Sequence, residues 1–97
     1  MKKYRIKMLT PFQKDMKNIV EFIEQRDGLT VAQKQIEDIR QAVEKLEYFP
    51  DRGNPLETKS GKAARYIIVD SYKVFYVVYN EHVSLQRVIH MRRNFKF

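Results

Sequence analysis

Hydrophobic positions in this chain change period twice. Tyr4, Ile6 and Met8 alternate with Lys3, Arg5 and Lys7, the period-two pattern of a half-buried strand with one basic face. The spacing then lengthens, and Phe12, Met16, Ile19, Val20 and Ile23 fall on one face of a helix. Thr10-Pro11-Phe12-Gln13 predicts its start, with a capping hydroxyl, a proline at the first helical position and a glutamine at the third; Gly28 predicts its stop. Thr30-Val31-Ala32-Gln33 repeats the start signal, and Ala32, Ile36, Ile39, Val43 and Leu46 continue at helical spacing until Phe49-Pro50 ends the run. Two amphipathic helices on a short link predict an antiparallel hairpin.

Period two returns in the last third. Tyr66-Ile67-Ile68-Val69, a two-residue Asp70-Ser71 turn, Tyr72 to Tyr79, and Val83 to His90 after Asn80-Glu81-His82 are β-branched and aromatic runs separated by turn residues, which predicts an antiparallel meander. Between helices and meander, residues 51–64 carry the breakers Gly53, Pro55 and Gly61 and read as a surface loop. The order β-α-α-β-β-β defines an α+β domain over residues 1–97, a four-stranded sheet with the helices packed on one face. Along the middle strand, Tyr72, Val74, Tyr76 and Val78 occupy one side and Lys73, Phe75, Val77 and Tyr79 the other, so both sides are apolar. Helices cover only one of them, and the second is expected to meet another chain, either a different protein or a second copy.

Composition narrows the classes. No cysteine is present among the 97 residues, which excludes disulfides and thiolate metal sites, and two histidines without a tight carboxylate cluster offer no metal site. No secretory signal, long apolar run, glycine-rich phosphate loop or serine or cysteine nucleophile motif occurs, so a cytoplasmic protein without a cofactor and away from membranes is expected. Nineteen Lys and Arg against twelve Asp and Glu give a formal charge of +7, which favours nucleic acid, the ribosome or an acidic protein as partner. The basic residues gather at the end of the last strand, in Met91-Arg92-Arg93-Asn94-Phe95-Lys96-Phe97.

Strand, helical hairpin, three strands and a basic end, with Phe49-Pro50-Asp51-Arg52-Gly53 leaving the second helix, Tyr72-Lys73-Val74-Phe75-Tyr76 on the middle strand and Arg87-Val88-Ile89-His90-Met91-Arg92-Arg93 on the last, resembles the RelE/ParE superfamily of bacterial toxins. The resemblance covers nearly the whole chain. It implies a toxin of a type II toxin–antitoxin module, held inactive by a cognate antitoxin in a hetero-oligomer. Members similar to RelE cut mRNA on the ribosome, whereas members similar to ParE act on DNA gyrase. Arg65, Lys73, Arg92 and Arg93 match the basic residues that surround the scissile phosphate in the nucleases, and as forked or point cations they suit phosphate or carboxylate oxygens. Nucleases with a Gly-His-Arg motif place histidine immediately before the arginine, but Met91 stands there; His90 lies two residues before the basic pair, the register of ParE-like members. In a regular strand that shift of one residue turns His90 to the opposite face, and a bulge would undo it.

RNA cleavage needs a base, an acid and positive charge on the phosphate. His90 is the candidate acid or base, since histidine titrates near neutrality, and Glu57 is a second titratable candidate in the loop. Their structural alternatives are a strand-end histidine bonded to backbone and a solvated glutamate. The terminal aromatic, Phe95 or Phe97, can stack on a base but moves no proton. Phe75, Val77 and Tyr79 are expected at the antitoxin, joined by Arg87, which regular alternation places beside Val83, Leu85 and Ile89. Three functions follow: ParE-like inhibition of gyrase by binding, ranked first on the register of His90 and the long hairpin; a ribosome-dependent mRNA endonuclease; and a non-toxin RNA- or ribosome-binding module.

Overall fold

The computed structural model describes residues 1–93 and Phe95. Strand β1 (Arg5–Met8) leads into helix α1 (Thr10–Asp27), helix α2 (Leu29–Glu44), then strands β2 (Asn54–Leu56), β3 (Ala64–Val69), β4 (Tyr72–Val78) and β5 (His82–His90). The α+β layout is the expected one, and the sheet gains a fifth strand. Residues 54–56, read as loop, pair antiparallel with β3, giving the order β1-β5-β4-β3-β2. Three residues with a proline at the centre carry little strand signal of their own, and the pairing is supplied by the neighbour. The N-terminal strand joins the sheet in parallel with β5, Ile6 opposite Val83 and Met8 opposite Leu85.

Helix α1 starts one residue earlier than its capping signal suggests, and α2 two residues earlier. Neither Thr10 nor Thr30 caps through its side chain: the N-cap residues are Leu9 and Gly28, and Gln13 reaches back to donate to the Met8 carbonyl at 3.0 Å. Gly28 is the whole link. Its N–H donates to Glu24 O at 2.9 Å and its carbonyl accepts from Ala32 N at 3.2 Å, with φ at 95°, a conformation that favours glycine even though a Cβ would meet nothing.

The hairpin lies on one face of the sheet. Phe12, Ile39, Val43 and Leu46 pack there against Ile67, Val69, Tyr72, Val74, Tyr76, Val83, Leu85 and Val88. Each such side chain contributes about 1.5–3 kcal/mol on burial, and this layer is the main source of stability. The exit from α2 is tied into it. Tyr76, fully buried, donates its hydroxyl to the Pro50 carbonyl at 2.6 Å and accepts from the Gly53 N–H at 3.0 Å. A Cβ on Gly53 would stand 2.4 Å from Tyr76 Oη and 2.8 Å from Tyr66 O, so the backbone approaches as closely as it does only because residue 53 is glycine.

Regular alternation fails in β5. Tyr76 pairs with Leu85, yet Phe75 pairs with Arg87, which leaves Gln86 as the extra residue of a bulge. The bulge corrects the expected placement of Arg87. Val83, Leu85 and Val88 face the helices, while Arg87 and Ile89 turn to the other side with Phe75 and Lys73. Val88 thereby takes the core position that an unbroken strand would give to an arginine.

Candidate functional site

The sheet face away from the helices carries an aromatic row with cations at its ends. Tyr66 of β3 and Phe75 of β4 are cross-strand partners with ring centroids 5.9 Å apart, and Phe95 returns to pack on Phe75 at 4.9 Å. Lys73 Nζ lies 4.8 Å from the centre of the Tyr66 ring, and the Arg87 guanidinium lies 5.3 Å from that of Phe95. Both cations sit within cation–π range. On the same face, beyond Ser84, the register of β1 places Lys7 and Arg5. The basic face of the N-terminal strand thus extends this surface, a contribution that its alternation signalled but that the sequence reading left out of the site.

The face is less open than expected. Phe75 is 6% exposed and Val77 2%, because neighbouring strands and Phe95 cover them; Tyr79 (40%) and Ile68 (51%) remain accessible. Phe75, expected at an antitoxin, and Phe95, expected at a target, are in contact with each other. Phe97 lies outside the described residues.

His90 belongs to a different surface. The bulge undoes the one-residue shift: it sets His90 on the helix side of the strand, the face that residue 91 would take in an unbroken one, opposite Tyr72 in register, with its ring edge-on to the Tyr72 ring at 5.5 Å. Both line a cleft of ≈ 620 Å³ between the hairpin and the end of the sheet, floored by Ile19, Ile23 and Val88. His90 Nδ1 accepts the Arg92 N–H at 3.2 Å, which leaves Nε2 to carry the proton of the neutral ring. Burial raises the pKa of Tyr72 above its ordinary value, with the nearby charge of Arg26 acting in the opposite direction. The strand ends in a turn: Met91 N–H donates to Ser71 O and Arg93 N–H to His90 O, and Arg92 and Arg93 stand exposed on it.

Arg65 and Glu57 lie apart from both surfaces. Arg65 points to the helix side, paired with Tyr76, and its Nη1 donates to Gly53 O at 2.8 Å and Asp51 O at 3.1 Å, so it is committed to the α2 exit. Glu57 is exposed just after β2, and three strand spacings, about 14 Å, separate β2 from β5. Lys73, Arg87, Phe75 and Phe95 are therefore brought together, Arg92 stands exposed on the turn, Arg93 lines the cleft together with His90, and Glu57 and Arg65 are each directed elsewhere. Among the described residues no group of three histidines or carboxylates is arranged to hold a metal, and no helix is long and apolar enough to cross a membrane.

Sequence inspection missed Asp15. Its carboxylate accepts from Arg87 Nε at 2.6 Å, Arg87 Nη2 at 3.0 Å and the Val88 N–H at 3.1 Å, and these bonds push the already high pKa of Arg87 higher. The signal was present: an acid three residues after Phe12 and four before Ile19 lies within the apolar stripe of α1, a position that calls for a buried partner.

Solved structures from type II toxin–antitoxin systems share this fold. The chromosomal ParDE system from P. aeruginosa superposes with a TM-score of 0.76 at 16% identity, over 90% of this chain and 95% of that one. The RelBE2 toxin–antitoxin complex from Mycobacterium tuberculosis superposes at 0.64 with 22% identity, over 93% of each. No curated protein sequence matches the chain. The family model of the ParE toxin of the type II toxin–antitoxin system parDE matches residues 6–95, and the chain belongs to that family.

Proposed function

We propose that this toxin arrests growth by binding its target, in the manner of the gyrase-directed branch of its superfamily, and that a cognate antitoxin neutralises it. The bulge at Gln86 carries this reading. It directs His90 into the helix-side cleft, with Nδ1 occupied by the Arg92 N–H, while Lys73 and Arg87 lie on the opposite face. Phosphodiester cleavage needs acid, base and cation around one phosphate; His90 and Arg93 share the cleft, but Lys73 and Arg87 lie on the other face and Glu57 stands beyond β2, so the full set expected for cleavage does not converge. A binding toxin asks only for a surface, and the aromatic row with its cations supplies one. The antitoxin reading draws on the solved relatives, both of them toxin–antitoxin systems, and on Tyr79, Ile68, Arg92 and Arg93, which leave apolar and cationic groups exposed for an acidic, partly apolar segment.

One observation favours the endonuclease as second reading. Tyr66, Phe75 and Phe95 interleaved with Lys73 and Arg87 have the chemistry of a stacking platform for single-stranded nucleic acid. Growth arrest by His90→Gln separates the two. An acid or base contributes about 10²- to 10⁴-fold to cleavage, whereas glutamine keeps a hydrogen bond in a binding surface, where one neutral bond is worth about 0.5–1.5 kcal/mol. We expect His90→Gln to remain toxic, Arg92→Ala with Arg93→Ala to weaken toxicity more, and purified toxin to inhibit gyrase supercoiling. Loss of toxicity in His90→Gln together with loss of wild-type mRNA cuts on primer-extension maps would make the endonuclease the better reading.

A further inference from the structure

Asp15 sits where the sheet loses its neighbour. Strand β1 accompanies β5 only through Leu85, whose carbonyl accepts the Leu9 N–H at 3.1 Å; the next residue, Gln86, is the bulge. Beyond it, the Asp15 carboxylate supplies to the Val88 N–H the acceptor that an adjoining strand would have provided. The same carboxylate takes the Arg87 guanidinium in a two-point grip at 2.6 and 3.0 Å, with the Asp15 side chain 15% and the Arg87 side chain 30% exposed, so water screens the pair only in part. The gripped guanidinium lies over Phe95, and Phe95 packs on Phe75. One line of contacts therefore runs from the helix layer, around the end of the strand, onto the opposite sheet face.

We propose that Asp15 is a positioning residue for that face: by holding Arg87 it keeps Phe95 seated on Phe75 and so maintains the cationic and aromatic surface that the toxin presents to its target. The consequence for toxicity rests on the toxin reading, while the seating of Phe95 does not. An asparagine at position 15 retains an acceptor for the Val88 N–H but loses the charge and the paired grip. Arg87→Gln complements it, since Asp15 then still caps Val88 while the cation over Phe95 is gone. Arg87→Lys keeps a charge without the planar fork and is expected not to restore the seating.

The chain has no tryptophan, so Phe95→Trp creates a single fluorescent reporter at the site. Acrylamide quenching is measured for Phe95→Trp alone and combined with Asp15→Asn, Arg87→Gln or Arg87→Lys, with thermal melts to establish that each variant is folded. Quenching should rise by about twofold or more in all three combinations, as a seated ring becomes free to move in water. In the native Phe95 background, toxicity of Asp15→Asn and Arg87→Gln at matched soluble levels should fall about tenfold, equivalent to roughly 1.4 kcal/mol of target binding. Unchanged quenching in folded Asp15→Asn and Arg87→Gln would overturn the proposal, and if Asp15→Asn does not fold, Arg87→Gln decides. Raised quenching with undiminished toxicity would overturn the functional role. Raised quenching in a chain that is not toxic even when unaltered would uphold the seating and refute the toxin reading.

Discussion

The hydroxyl of Tyr76 offers the sharpest test of how the α2 exit is held. Tyr76→Phe keeps the ring in the core and removes one oxygen, which leaves the Pro50 carbonyl and the Gly53 N–H without the partners they have at 2.6 and 3.0 Å. Both residues are buried. An unsatisfied buried polar group costs about 1–3 kcal/mol, so the pair should cost about 2–4 kcal/mol, a large share of the 5–15 kcal/mol typical of a domain. For a chain of this length that lowers Tm by about 10 °C or more. Urea unfolding followed by circular dichroism measures it, with the exposed Tyr79→Phe as a control near zero. Gly53→Ala tests the same contact from the other side: its Cβ meets Tyr76 Oη at 2.4 Å and Tyr66 O at 2.8 Å, so it should destabilise at least as much. In the Tyr76→Phe background it should cost less, because the nearer obstacle is gone, though the Tyr66 carbonyl keeps the penalty above zero. A Tyr76→Phe change below about 0.5 kcal/mol with an unchanged m-value would refute the reasoning, since the two backbone groups would then have found water.

Two further expectations concern the same framework. Burial raises the pKa of Tyr76 and of Tyr72, so their contribution to stability is complete below the unfolded tyrosine pKa near 10 and is lost as pH rises through the folded values; stability should be flat through neutral pH and fall above about pH 10. Urea midpoints across the alkaline range check this, and a Tyr72→Phe chain should show a shallower fall. Gly28→Ala should cost about 1–2 kcal/mol in the same unfolding assay, because φ of 95° strains any side chain even where space is open.

The helical hairpin, the meander and most of the core were legible because each depends on a local period: the stripe from Phe12 to Ile23 and the alternation of Tyr72, Val74 and Tyr76 need no knowledge of what they pack against. Features that depend on a distant neighbour were less legible. Residues 54–56 become a strand only because β3 lies beside them; Thr30, a good capping residue by type, loses that role to Gly28 because the single-glycine link sets where α2 begins, and Thr10 loses it to Leu9, whose N–H is still bonded to Leu85 of β5. The bulge is the most consequential omission. Val83 to His90 fits two patterns, with 83, 85, 87 and 89 inward or with 83, 85 and then 88 and 90 inward, since Val88 and Ile89 are adjacent apolar residues. Periodicity does not choose between them. Pairing Asp15 with Arg87 does, and that requires setting an acid on one apolar stripe against a base on another.

The energetic preference for the bulged register also bears on mechanism. Bringing His90 to the face of Lys73 would require an unbroken β5, in which Phe75 pairs with Gln86 and Val74 with Arg87. That exchange removes Val88 from the core, forgoing about 1.5–3 kcal/mol, and turns the Arg87 guanidinium in among buried apolar side chains, where an unpaired charge costs several kcal/mol. It also gives up the hydrogen bonds to Asp15, since the carboxylate meets Arg87 and Val88 together only when these two residues stand where the bulge puts them. Each term favours the same register, so the division of the strand end into a cationic, aromatic face and a histidine-lined cleft is built in by several residues acting together. A mechanism that needs His90 and Lys73 on one phosphate must overcome all of them, whereas one that uses the aromatic face and the arginine turn as a binding surface works with the fold as it stands.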